Sequence, residues 1–313
     1  MLLPRRNPEP APGQYINTPD QSPRELDVNA LRRWPLTAVS GQSDKEDRGQ
    51  VLVIAGSREI PGAAILAATA ALRAGAGKLT IATVESVAPY LGLLVPEARV
   101  IGLPETQTGG LDAKGIDRLT ELADCSSAVL IGPGLTDSSG SASFFRAAVE
   151  MFSQTPMVLD ALAMDAIIQT SACPMAVVLT PHAGEMAHLT GLSKQQVKDR
   201  PFSTARAFAL RCKANKTIIA LKGAVTMIVP CEGVGWRHSC NIPGLGTSGS
   251  GDVLAGIITG LIARGAELEQ AAAWGVAVHA LAGQALAEKV GPLGFLARDL
   301  AAEIPAILRE CAV

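Results

Sequence analysis

Aromatic residues are scarce in this chain of 313 residues, at 4%. So few rings leave little for a base-stacking platform of the kind that binds single-stranded nucleic acid. The body of the sequence holds no cluster of Lys and Arg and the formal net charge is -2, which argues against a nucleic-acid partner. No uninterrupted apolar run of about 20 residues exists, so no membrane span is expected. The opening Met-Leu-Leu-Pro-Arg-Arg lacks the apolar core of a signal peptide. Cysteines stand at 125, 173, 212, 231, 240 and 311, none as Cys-x-x-Cys and none in a Cys/His pattern suited to zinc. They read as reduced, mostly buried thiols of a cytoplasmic protein, and no metal ligand is assigned.

What is present is a long, apolar chain: 48% hydrophobic against 18% charged, enough for one large α/β core. Residues 1–45, rich in Pro, Asn, Gln, Ser and charge, read as a largely irregular tail with a short helix around 23–33; residues 46–313 read as the domain. Short apolar runs predict strands at 51–55, 78–83, 99–103, 128–131, 157–159, 175–179, 217–221, 226–229 and 234–238. Helices are expected at 63–72, 114–123, 140–152, 183–189, 203–214, 252–264, 268–289 and 296–310. Strands apolar throughout and alternating with helices imply a mostly parallel sheet covered on both faces. Ligands of such sheets sit outside the carboxyl ends of the strands, so polar residues just after strands carry the functional information.

The densest of these segments is 241–252, Asn-Ile-Pro-Gly-Leu-Gly-Thr-Ser-Gly-Ser-Gly-Asp, directly before an apolar helix. A glycine-rich loop feeding a helix N-terminus exposes unpartnered N–H groups and positive potential, which suits phosphate. It is no Walker A loop, because no Lys-Ser or Lys-Thr follows the glycines. Gly244-x-Gly246-x-x-Gly249 fits the dinucleotide fingerprint, but no strand precedes it and no acidic residue ends a strand about 20 positions later. A purely structural turn is the alternative; it has no need of Thr247, Ser248, Ser250 and Asp252 together. A carboxylate in an anion site repels the anion, and general-base chemistry on a group that attacks phosphate is one reason to keep Asp252 there. The helix dipole is expected to hold Asp252 ionised, and so a weak base.

Four further segments follow strands on the same expected rim: 56–63, 132–135, 179–185 and 221–226. Each has a bland reading. Gly132-Pro-Gly134 is compatible with a tight turn, and 180–185 with a helix start using Pro181 and Glu185, which leaves His182 unexplained. Lys222 at a strand end is compatible with a solvated charge, and Asp160 with a helix cap. Their joint placement at one rim carries the functional argument.

Gly-Ser-x4-Gly-Ala at 56–63, Gly-Pro-Gly-Leu at 132–135, Leu-Thr-Pro-His-x-Gly-Glu at 179–185, Leu-Lys-Gly-Ala at 221–224 and Gly-Thr-x-Gly-Ser-Gly-Asp at 246–252 occur in order. With them the chain resembles the NAD(P)H-hydrate dehydratases, ribokinase-like enzymes that repair hydrated nicotinamide cofactors, over residues 45 to 310. The resemblance implies a ribokinase-like three-layer α/β/α sandwich with a mostly parallel central sheet. It implies that ADP, with ATP as the alternative donor, and Mg2+ serve the dehydration of NADHX or NADPHX. By motif, Ala63, Gly134, His182 and Asp252 would touch the hydrated dinucleotide, with Asp252 catalytic. Lys222, Gly223, Ala224, Val225, Thr226, Gly249, Ser250 and Gly251 would hold the adenine nucleotide, and Asp160, Glu185 and Asn241 would support them. A homotetramer is implied. So is an epimerase on a separate chain, since 45 residues are too few for the epimerase domain fused to some members. Position 162 is Leu where many members have a second Asp. Two other readings stay open: a ribokinase-like small-molecule kinase of the hydroxyethylthiazole-kinase type, and a non-catalytic adenine-nucleotide-binding protein.

Overall fold

The computed structural model describes residues 22–38, 41, 44–135, 139–212 and 214–311. Ten strands form one sheet: β1 (Arg24–Glu25), β2 (Gln50–Ile54), β3 (Lys78–Val84), β4 (Arg99–Leu103), β5 (Ala128–Ile131), β6 (Met157–Leu159), β7 (Ala176–Leu179), β8 (Lys216–Leu221), β9 (Val225–Pro230) and β10 (Trp236–Ser239). Their order is β1-β10-β9-β8-β7-β6-β5-β2-β3-β4. Only the β8–β9 and β9–β10 pairings are antiparallel. Among the described residues, twelve α-helices connect or cover the strands: α1 (Val28–Arg33), α2 (Gly62–Arg73), α3 (Ala88–Leu94), α4 (Thr120–Ala123), α5 (Ser139–Met151), α6 (Ala166–Gln169), α7 (Ala183–Thr190), α8 (Lys194–Asp199), α9 (Pro201–Arg211), α10 (Ser250–Ala263), α11 (Leu268–Lys289) and α12 (Ala297–Cys311).

The central strands β2, β5, β6 and β7 are buried along nearly their whole length, as strands covered on both faces must be. The chain runs from β2 outward through β3 and β4, then resumes at β5 on the other side of β2. The ends of β2 and β5 therefore flank the switch point, where an open α/β sheet leaves a crevice.

Helix α10 is buried on almost every side, packed on α2 and α11 and over β2, β5 and β6. Two glycines permit this. A Cβ at Gly256 would strike the Ala67 carbonyl of α2, and one at Gly260 would strike the Ala71 carbonyl. Alanines on α2 complete the close approach, and both helices begin at the same rim of the sheet.

Several expectations need correction. Residues 24–25 form an edge strand parallel to β10, because Leu26 and Arg24 donate their N–H groups to the carbonyls of Arg237 and Gly235. The short helix expected at 23–33 is confined to Val28–Arg33, capped by Asp27; residues 1–21 lie outside the described residues. The helix expected at 114–123 is a 3-10 segment, Ala113–Leu119, followed by one α turn. Helices α3, α6 and α8 were not foreseen, being short and weakly periodic. Only Cys212 and Cys311 are buried, while Cys125 and Cys173 are exposed; all six are free. No described helix is long and apolar enough to cross a membrane.

All three tryptophans anchor the N-terminal segment. The Trp34 ring stacks on Trp236 with centroids 5.5 Å apart. The Trp34 carbonyl accepts from Trp274 Nε1 at 2.9 Å and from Gln270 Nε2 at 3.1 Å.

Gly260→Ala should force α10 off α2 and cost about 1–3 kcal/mol, the range for overpacking a dense core. Chemical denaturation of the two proteins would measure it, and an unchanged midpoint would contradict the packing described.

Candidate active site

Four strand ends, those of β5, β6, β7 and β8, meet at the site. Asp160 follows β6 and is 4% exposed. Its Oδ1 accepts from Thr180 Oγ1, just past β7, at 2.6 Å, and from Lys222 Nζ, just past β8, at 3.0 Å. Lys222 Nζ also lies 4.0 Å from Glu185 Oε2. Asp160 therefore does not cap a helix through its side chain. The next residue, Ala161, is the one non-glycine with positive φ, at 49°, among the described residues. Gly132, after β5, has φ 137°, and a Cβ there would strike the Asp160 carbonyl. The backbone at 160–161 is thus held in a conformation that costs an L-residue about 1–3 kcal/mol, a mark of sites where position matters.

The start of α7 differs from the expected pattern. His182 is its N-cap: ring Nδ1 accepts from the N–H groups of Gly184 at 2.9 Å and Glu185 at 3.0 Å. Glu185 Oε2 returns a bond to the His182 N–H at 2.7 Å, closing a capping box. Pro181 precedes the helix rather than opening it. Since Nδ1 accepts two bonds, the neutral ring carries its proton on Nε2.

At the start of α10, Gly249 is the N-cap with φ 89°, and a Cβ there would fall 2.5 Å from Leu66 of α2. A Cβ at Gly251 would fall 3.2 Å from Lys222 Nζ, so the ammonium lies over the helix's first turn. Neither α10 nor α2 has a side-chain cap. Their first N–H groups stay available to an anion, reinforced at α10 by Lys222.

Asp252 sits in that first turn, and its carboxyl is pushed up to about 7. Burial is the main cause; the Asp160 charge adds to it, and Lys222 opposes both without prevailing. The expectation that the dipole keeps Asp252 strongly ionised is therefore wrong. Loss of water and a like-charged neighbour outweigh the helix terminus. The result is a carboxylate poised near neutrality, where a general base is most effective.

A cleft of about 590 Å³ opens beside this turn. Lys222, Gly223, Ala224, Thr226, Asn241, Ser250, Gly251 and His182 line it, with apolar walls from Ile242, Leu254 and Val276. Val225, Gly249 and Asp252 stand outside its lining. Ala63 and Gly134 meet at the switch point instead, where a Cβ at Gly134 would come 2.6 Å from that of Ala63. Asp252 thus lies in the first turn of α10, beside the cleft but outside its lining. Two lining histidines escaped sequence reasoning. His279 Nε2 is 3.0 Å from the Ser250 carbonyl and 2.9 Å from Ser250 Oγ. Burial holds it down at about 4, so it is neutral, and only an Nε2–H can bond a carbonyl. His238 sits at the other end, on β10. Each is one of only four histidines. A lone histidine in an Ala-rich helix or a short strand was the available signal.

The profile of the NAD(P)H-hydrate dehydratase family matches residues 51–306. The chain belongs to the NAD(P)H-hydrate dehydratase family. It is 45% identical to the ADP-dependent (S)-NAD(P)H-hydrate dehydratase of Xanthomonas campestris pv. campestris, over 91% of this chain and 96% of that one. It is 35% identical to the bifunctional NAD(P)H-hydrate repair enzyme Nnr of Thermofilum pendens, covering 88% of this chain but 52% of that protein. Among solved structures, the ADP/ATP-dependent NAD(P)H-hydrate dehydratase of Bacillus subtilis, co-crystallised with ATP/Mg2+, superposes with TM-score 0.79 at 27% identity, over 92% of this chain and 99% of that one. The fold is accordingly the ribokinase-like α/β/α sandwich implied by the motifs.

In the light of this family, the described residues offer no cluster of three or more His, Cys, Asp or Glu to cage a metal. Mg2+, which prefers water and phosphate oxygens with few protein ligands, would have to be held mainly by the nucleotide.

Two outcomes follow from Asp252. The acid limb of the kcat/KM profile should fall near pH 7, and Asp160→Asn should move it to lower pH by removing the like charge. A limb unmoved by that change would exclude the coupling. Stability has its own sign: a carboxyl raised in the folded state from about 3.8 to about 7 stays protonated there while the unfolded chain ionises. Stability is therefore lost as pH rises from about 4 to about 7. Asp252→Asn escapes this loss, so its melting temperature relative to wild type should rise between pH 5 and pH 8.

Proposed function

We propose that this protein returns hydrated NADH or NADPH to the dihydronicotinamide form, using ADP as phosphate donor and releasing AMP and phosphate. The observation that carries the reading is Asp252, poised near neutrality in the first turn of α10, beside the cleft that Lys222, Ser250 and Gly251 line. Family membership and the 45% identity to an ADP-dependent dehydratase support it.

The adenine nucleotide occupies the cleft, held by Lys222, Gly223, Ala224 and Thr226 on one side and Ser250 and Gly251 on the other. The hydrated dinucleotide lies against Ala63 and Gly134 at the switch point and extends to His182, which lines the cleft; the uncapped start of α2 offers N–H groups to its phosphates. Asp252 takes the proton of the C6 hydroxyl as that oxygen attacks the terminal phosphorus and AMP departs. Lys222 and the first N–H groups of α10 stabilise charge on the transferring group. The ring nitrogen then expels phosphate from C6, and loss of the C5 proton restores the ring double bond. Asp160 fixes Lys222 and raises Asp252, Glu185 holds His182 and faces Lys222, and Asn241 closes the cleft. Mg2+, bound through the phosphates, would neutralise their charge.

ADP is the donor favoured by the Xanthomonas relative, with ATP the alternative suggested by the Bacillus structure. A cytoplasmic location fits six unpaired cysteines. A homotetramer, and an epimerase on a separate chain, complete the reading; the bifunctional relatives are about twice this chain's matched length.

The test supplies hydrated NADH, Mg2+ and either ADP or ATP, and follows the return of dihydronicotinamide absorbance. Recovery that requires one nucleotide supports the reading and identifies the donor. Nucleotide binding with no recovery would turn attention to a small-molecule kinase. Asp252→Asn should lose at least ~100-fold in turnover, the lower range of general-base catalysis, while still binding ADP. Turnover near wild type would remove Asp252 from the base role.

A further inference from the structure

We infer that His238 reads the base of the bound nucleotide, and that the N-terminal segment sets the tautomer with which it does so. The inference rests on the nucleotide reading of the cleft and adds the element that recognises the base.

The phosphate end of the cleft is fixed by Lys222 and Gly251. Lys222 stands one residue past the Leu221–Met227 pair of β8 and β9, level with Thr226, and Thr226 pairs with His238 of β10. Lys222, Thr226 and His238 thus form a row across three strands, roughly 10 Å wide at ordinary strand spacing. All three line the cleft. A nucleoside diphosphate laid along that row, phosphates over Lys222, brings its base to β10.

His238 is not free to choose its tautomer. Its Nδ1 lies 2.7 Å from the carbonyl oxygen of Leu26. A carbonyl only accepts, so Nδ1 carries the proton and the neutral ring keeps Nε2 as an acceptor. Leu26 is itself held: it is 2% exposed, and its N–H donates to the Arg237 carbonyl at 2.8 Å. Eight residues on, the Trp34 carbonyl is fastened by Trp274 and Gln270. An acceptor at the base end pairs with the exocyclic amine of adenine. It meets a carbonyl oxygen at the same position in hypoxanthine or guanine, two acceptors facing each other. A site built around a hydrogen bond rejects analogues lacking it far better than an apolar wall does. This gives a function to a stretch of chain that lies before the start of the family match.

The test is binding without turnover, by titration calorimetry with no hydrate present, comparing ADP with inosine diphosphate, which replaces the amine with a carbonyl. Wild type should prefer ADP by at least ~10-fold, the value of one net hydrogen bond. His238→Leu should weaken ADP about tenfold and leave inosine diphosphate within about twofold, erasing the preference. His238→Gln, able to donate to Leu26 through its amide nitrogen and offer its oxygen, should retain most of it. An ADP preference unchanged in His238→Leu overturns the inference and leaves the nucleotide reading standing. A wild type that binds neither nucleotide overturns both. Should His238→Leu fail to fold, the wild-type ratio decides, and equal affinity for the two nucleotides sinks the proposal.

Discussion

The site depends on how closely α10 lies against α2. Helices with ordinary side chains pack with axes 8–10 Å apart. The bare backbone at Gly256 and Gly260, set against Ala67 and Ala71, lets α10 approach α2 until side-chain atoms would touch carbonyls. Because both helices start at the carboxyl rim, this brings two uncapped N-termini together beside the switch point. One faces the cleft and the other the crevice. Asp252 stands in the first turn of α10, beside that junction.

Electrostatics then follow from geometry. Two carboxylates, Asp160 and Asp252, share one nearby ammonium, Lys222, and the direct contact is made to Asp160. That unequal division keeps Asp160 paired and buried while leaving Asp252 short of compensation. A buried pair such as Lys222–Asp160 is weak evidence of stabilisation by itself. Its value here lies in holding the ammonium where phosphate needs it and in tuning the second carboxylate. The backbone at Ala161 and the bare Gly132 keep Asp160 in place.

Much of this was legible in the residues. Apolar runs ended by Gly or polar residues located the parallel strands, and the polar segments after them converge on one rim. The glycine loop before an apolar helix marked the uncapped start of α10. What escaped has physical causes. The sign of the Asp252 shift depends on burial and on Asp160, 92 positions away in sequence by subtraction of the two numbers, a proximity no local pattern encodes. His182 as a cap was hidden because imidazole is an unusual N-cap, whereas Ser, Thr, Asp and Asn are expected there. The edge strand at Arg24–Glu25 is two residues long, too short for periodicity to register, and exists only because β10 presents an unpaired edge.

The three tryptophans have an optical consequence. Trp34, Trp236 and Trp274 lie together where the N-terminal segment meets β10 and α11, linked by ring stacking and a shared carbonyl. None stands in the rim that holds Asp252 and Lys222. Intrinsic fluorescence of this protein is therefore a local gauge, reporting attachment of the segment from Arg24 to Trp34 more directly than the state of the reaction centre. A cooperative change in emission would describe the seam between chain start and sheet edge, and a silent spectrum would not mean an idle enzyme.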